Sequence, residues 1–175
     1  MSNTSPDPPD WLCELPEPDP FTREEFLAWR GLIRLHGTMT RQIDRRLRER
    51  GEISIDDYGV LIVFVTAPGL RLRMTDLAER QMLTPSGSTR LVARLEERGL
   101  VQRVPDPDDG RGSLAALTHE GLETFRRAQV IHHAAVRELF VGRLTARELE
   151  QLARLYEKAM PGIGTEAIWP PSEPA

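Results

Sequence analysis

A chain of 175 residues and 19.8 kDa suits one ordinary domain that buries about 70% of its unfolded surface. It has no apolar run long enough to span a bilayer, no signal-peptide pattern at its acidic, Pro-rich start, and one cysteine, which can staple nothing within the chain; the expected compartment is the cytoplasm and no membrane association is expected. The formal charge of −4 divides unevenly: residues 1–20 carry five acids and no base, residues 161–175 two acids and no base, and residues 21–160 carry 23 basic against 20 acidic side chains. A mildly basic body between acidic tails permits nucleic-acid binding without arguing for it.

Residues 1–20 hold six of the 14 prolines and 161–175 hold four more, so both read as extended tails. The first helix begins at a capping box, Thr22 with Glu25, and carries Phe26, Trp29, Ile33, His36, Thr40, Ile43 and Leu47 at spacings of three and four. Gly51 reads as its stop, after Arg45, Arg46, Arg48 and Arg50. At 1.5 Å per residue such a helix is roughly 40 Å long, more than a small core covers. A second subunit would cover the rest.

Residues 54–66 admit two readings. The β-branched run Val60–Val65 could be a buried strand, but Ser54 with Asp57 looks like a helix start and Pro68-Gly69 like a stop. A buried helix is the preferred reading. Next, Thr75 would cap a short helix from Asp76 to about Gln81, and Met82-Leu83 would make a tight connection. Thr84, an N-cap, and Pro85 at the first helical position would open a second helix that buries Leu91, Val92 and Leu95 and stops at Gly99. Two short helices joined this way make a helix-turn-helix. The alternating segment 100–104, the turn-forming 105–110 and the return 113–117 then read as a hairpin, a wing with Arg111 at its tip. Thr118 opens a further helix, with Leu122, Phe125, His132, Val136 and Leu139 on one side, and the capping box Thr145–Glu148 opens the last, which ends near Pro161. The fold class is mainly α with a small β-wing.

The stretch RMTDLAERQMLTPSGSTRLVARLEERGLVQRVPDPDDGRGSLAALTHEG (73–121) resembles the MarR family of bacterial transcriptional regulators: LAE at 77–79, TR-L-V-x-R-L-E at 89–96, G-L-V at 99–101, D-x-R at 109–111 and L-T-x-x-G at 117–121. The order of the flanking helices extends the resemblance to about 21–160. It implies a winged helix-turn-helix (54–117) joined to a helical dimerisation region (21–50 and 118–160), a homodimer that reads a palindrome, and repression relieved by a small-molecule effector. It also favours helix for 54–66. The family often has two arginines at the wing tip; here Gly110 precedes Arg111, which implies weaker wing contacts.

In that frame Ser86, Gly87, Ser88 and Thr89 supply the short polar start that lets a recognition helix sit deep in a major groove, with Thr84 just before them. Arg90 has the reach for a guanine edge or a phosphate, and Arg94 continues its face; the competing reading is a solvated pair with Glu96 or Glu97. Arg111 would enter the flanking minor groove with Asp109 holding its guanidinium, and Arg73 would meet a phosphate. Asp106, Asp108 and Asp109 would repel phosphate near the tip.

Trp29, His36, Thr40, Tyr58 and His132 could line an effector pocket, against the alternative of ordinary core or interface contacts. No metal or other cofactor is expected, since His132 and His133 point about 100° apart on a helix and no cysteine lies near. The resemblance also implies a redox-sensor reading for Cys13, since peroxide-sensing members of the family carry a reactive cysteine near the N-terminus, but here neighbouring acids would raise its thiol and blunt its reactivity. An enzyme is disfavoured: there is no Gly-rich phosphate loop, no nucleophile elbow and no apolar-set carboxylate pair. The remaining alternative is a winged interaction module that has lost DNA binding, supported by the acidic tails and the acidic wing alone.

Overall fold

The computed structural model describes residues 19–80, 85–106 and 109–161, with side chains at all of these except 79, 85 and 109–112. The expectations placed on the tails at 1–18 and 162–175, on Cys13, on Met82-Leu83, on the cap Thr84 and on Asp108 lie outside the described residues. The chain falls into two compact units, 1–37 and 38–175.

Helix α1, Arg23–Gly51, opens on the capping box: the Thr22 amide donates to Glu25 Oε2 at 2.7 Å and the Glu25 amide to Thr22 Oγ1 at 3.2 Å. In the first unit this helix exposes apolar side chains on nearly every side, Phe26, Leu27, Trp29, Leu32, Ile33 and Leu35 among them. In the second unit it turns Ile43 and Leu47 into the core, and Arg46 forks onto both oxygens of Glu138 at 2.9 and 2.8 Å. Gly51 is not the left-handed stop that the sequence suggested. It is the last helical residue, and Glu52 takes the left-handed turn at φ 59°. Gly51 instead packs closely, since a Cβ there would stand 3.2 Å from Ile131 Cδ1, a side-chain end that would have to shift by a few tenths of an ångström.

The ambiguity at 54–66 resolves as helix α2, Ile55–Val65, with both halves of its capping box formed at 3.0 Å. It is apolar almost all round because it is enclosed, with Val60, Leu61 and Phe64 fully buried. The Thr66 hydroxyl donates back to the carbonyls of Ile62 and Val63, and Pro68 then bars continuation.

Strand β1, Arg71–Leu72, leads into α3, Met74–Arg80, and α4, Pro85–Glu97. Helix α3 begins one residue before Thr75, so Thr75 does not cap it: the Leu77 amide bonds to the Arg73 carbonyl, and the Thr75 hydroxyl turns to Asp76 at 3.2 Å. Helix α4 ends in a Schellman closure, with Gly99 at φ 71° donating to Glu96 O at 2.8 Å and Leu100 to Leu95 O at 2.9 Å.

The hairpin pairs β2, Val101–Asp106, with β3, Asp109–Leu117, in the register Val101↔Leu117 to Asp106↔Asp109. Strand β1 adds antiparallel on the far side of β3, in the order β1-β3-β2. Pro105 is tolerated because β2 is an edge strand and the register shifts there. Thr118 caps α5, His119–Leu139, and a third intact box, Thr145 with Glu148, opens α6, Ala146–Ala159. The apolar residues of α6 fall along one stripe, yet none is buried and Leu155 and Tyr156 are exposed.

Candidate nucleic-acid interface

A helix meant to lie in a groove must bury one stripe and leave the other polar and open. Helix α4 packs against α3 and turns Ser88, Val92 and Leu95 inward, at spacings of four and three. Ser86, Thr89 and Arg90 face outward, and Gly87 is half-buried. Ser88, expected among the DNA contacts, is therefore a correction: at 1% exposure it belongs to the core stripe. Its small hydroxyl misleads because it lies one turn before Val92. Arg90 is exposed, and no ion pair holds it among the described residues.

Arg94 is also placed differently. It bonds neither Glu96 nor Glu97. Its guanidinium closes on the buried carboxylate of Asp57 in α2, with Nε at 3.2 Å and Nη2 tighter still. Arg98 joins the same carboxylate at 3.3 Å. This partnership was not legible from spacing, since the pair is separated by 37 residues; the available signal was the pair of carboxylates, Asp56 and Asp57, opening an otherwise apolar helix. Burial alone would raise the Asp57 carboxyl, but hydrogen bonds from Arg94 and Ser54 outweigh it and hold the group below the usual carboxylate range.

At the wing, Asp106 does not stand free to repel phosphate. It is buried and accepts Arg73 Nε at 2.9 Å and Nη2 at 2.8 Å, which ties the start of α3 to the end of β2. Arg73, the expected phosphate contact, still has 54% of its side chain exposed. Asp109 and Arg111 lie on the backbone of β3, so Arg111 is two residues into the strand. Their side chains, and the expected Asp109–Arg111 contact, are outside the described residues.

The family model for the MarR family matches residues 52–112. The chain is 27% identical to the HTH-type transcriptional repressor IacR of Pseudomonas putida over 151 residues, 86% of this chain and 87% of that protein. It is 33% identical to the transcriptional regulator HosA of Escherichia coli over 112 residues, 64% of this chain and 81% of HosA. The solved structure of Sco3205, a MarR family transcriptional regulator from Streptomyces coelicolor in complex with DNA, superposes at TM-score 0.75 with 35% identity, covering 90% of this chain and 96% of that one. The chain belongs to the MarR family. It is accordingly a transcriptional regulator and not an enzyme, and no described helix is long and apolar enough to cross a membrane.

Of the residues expected to meet an effector in this MarR-family chain, two come together. The Tyr58 ring stacks on His132 at 4.5 Å and on Phe125 at 5.4 Å. The Tyr58 hydroxyl and His132 Nδ1 are both buried and have no hydrogen-bond partner among the described residues, a costly state for either atom. Burial pushes the Tyr58 phenol up to about 12. Thr40 is half-buried, while Trp29 and His36 are exposed in the first unit. An open pocket of about 390 Å³ lies elsewhere, lined in part by Arg48, Asp56, Arg94 and Arg98.

Burial, and then the charge of His133, hold His132 below the usual histidine value of 6.5. The unfolded chain therefore takes up a proton near pH 6.5 that the folded chain refuses until lower pH, so this group removes stability as pH falls through that window. A His132→Phe variant, which keeps a ring in the stack, is expected to lose less stability than the native chain between pH 7.5 and 5.5. Urea unfolding at both pH values checks this, and parallel losses would refute it.

Proposed function

We propose that this regulator represses transcription by binding a pseudo-palindromic operator as a homodimer in the cytoplasm, and that a small molecule releases it. In this reading residues 54–117 form the winged DNA-reading lobe, residues 21–50 and 118–160 the dimerisation region, and the two ends are tails. The observation that carries it is the outward face of α4, Ser86, Thr89 and Arg90, which no ion pair holds among the described residues, on two helices followed by a hairpin. IacR is named a repressor and Sco3205 was solved with DNA, which supports the same reading.

Thr84, Gly87 and Arg73 would add phosphate contacts at the edge of this face, and Arg111 with Asp109 would carry the wing to the flanking minor groove. Arg94 would reach DNA only through the part of its guanidinium that Asp57 leaves open. The exposed apolar side chains of α1, and separately those of α6, support a second copy as their cover. Tyr58 and His132 offer an effector two unsatisfied polar atoms beside stacked rings, with Thr40, His36 and Trp29 as further candidates.

The test is selection from a random duplex library at stated salt, because nonspecific affinity depends steeply on salt. Enrichment of a two-fold motif with half-sites about 10 bp apart is the expected result; failure to enrich any motif refutes the reading and leaves an interaction module. Arg90→Ala is expected to weaken operator binding by about 1–3 kcal/mol and to relax preference at one position of each half-site. Fluorescence anisotropy with single-base operator variants measures both.

A further inference from the structure

We propose that Asp57 is a positioning residue for α4, setting how that helix meets DNA through Arg94 and Arg98 without touching DNA itself. The inference rests on the DNA-reading function proposed above. Asp57 is only 3% exposed, yet its two oxygens take the Ser54 amide at 3.0 Å, Arg98 at 3.3 Å and both Nε and Nη2 of Arg94. Arg98 reaches on to the Glu52 carbonyl at 2.7 Å, just past the end of α1. Asp44 of α1 accepts the Ile55 amide at 2.9 Å and Arg48 Nε at 2.7 Å. One polar joint thus ties the end of α1, the first turn of α2 and the flank of α4.

The geometry favours control of rotation. Helix α4 rests on Val92 and Leu95, and apolar contacts of that kind tolerate small rolls about the helix axis. At 3.6 residues per turn Arg94 lies about 80° round from Ser86, so the clasp grips α4 from the side and resists such rolls. A 10° roll moves side chains at 5–6 Å radius by about 1 Å, enough to break a bidentate hydrogen bond to a base edge. The grip is strong because a buried carboxylate is costly without its cations.

Asp57→Asn gives opposite signs for the two readings of Arg94. If Arg94 and Arg98 served DNA directly, neutralising their carboxylate would free positive charge and tighten binding to any duplex. A positioning role predicts weaker operator binding, by about tenfold, with binding to scrambled duplex unchanged or tighter. The assay uses the full chain, the operator that the native protein selects, and a scrambled duplex, with circular dichroism and active-fraction titration alongside.

A native protein that selects no operator refutes the DNA-reading function itself. A native protein that does, beside an Asp57→Asn variant with the same operator-to-scrambled ratio, overturns the positioning role. The Asp57→Asn and Arg94→Gln losses should also fall short of additive when combined; full additivity overturns the inference. Should Asp57→Asn fail to fold, Arg98→Gln at the exposed end of the clasp decides: a fall in the same ratio supports the role, and an unchanged ratio refutes it.

Discussion

An Ile33→Glu variant is expected to sediment as a monomer and to bind the operator about a hundredfold or more weakly than the native protein. In the first unit Ile33 is 51% exposed and shares α1 with five other exposed apolar residues, spread over nearly the whole circumference of the helix. Exposed apolar side chains in such number favour a covered helix, and the twofold partner proposed above would bring the same helix to cover them. Any substitution then enters the interface twice. Burying an unpaired carboxylate costs several kcal/mol at each copy, against about 1.5–3 kcal/mol gained by each buried isoleucine. The second unit keeps its own core, Leu47, Leu61, Phe64 and Leu95 included, and should stay folded. Without the tether, the second lobe no longer binds at high effective concentration, and the affinity gained from two half-sites is lost. Sedimentation equilibrium paired with operator titration checks both halves, and a variant that remains dimeric would remove the interface from α1.

How much of this was legible in the sequence follows the range of the interactions. The boxes Thr22–Glu25, Ser54–Asp57 and Thr145–Glu148 are contacts across three residues, and all three are formed as their spacing suggested. The α4 stop at Gly99 and the hairpin after it are equally local. What failed was what depends on distant partners. Arg94 looked free because Asp57 lies 37 residues away. Asp106 looked like a tip acid because nothing nearby in sequence showed Arg73 folding back across 33 residues. The two residues of β1 carry no periodicity, and only pairing with β3 makes them a strand. Ser88 and Gly51 show a second limit: a small residue fits both an open polar face and a tight contact, and burial alone separates the two. On α4 the outward placing of Ser86, Thr89 and Arg90 follows from helical periodicity alone, off the stripe of the buried Ser88, Val92 and Leu95.

Gly121→Ala is expected to destabilise the fold by about 3 kcal/mol or more, although the same exchange in an open helix stabilises by up to about 1 kcal/mol. Gly121 stands in the first turn of α5, where its amide donates to the Thr118 hydroxyl at 3.0 Å. A Cβ built there would lie 2.1 Å from the Leu100 carbonyl oxygen and 2.8 Å from Leu117 Cδ1. A leucine methyl can swing away, but that carbonyl cannot. Leu100 O accepts the Thr118 amide at 3.1 Å, and the Leu100 amide closes the end of α4 on Leu95 at 2.9 Å. The Thr118 hydroxyl also donates to Gly99 O at 2.7 Å. Making room for one methyl therefore pulls on the α4 closure and the α5 cap together. For a chain of this size the loss corresponds to a fall in Tm of about 10 °C, read at fixed protomer concentration because association shifts apparent stability. Since Leu100 joins α4 to β2, the strain is delivered to the end of α4, the helix proposed to read DNA, and operator affinity should fall even at temperatures where the variant remains folded. A variant with native Tm would mean that the α4–α5 junction yields, and that its backbone is not held by the four hydrogen bonds around Leu100.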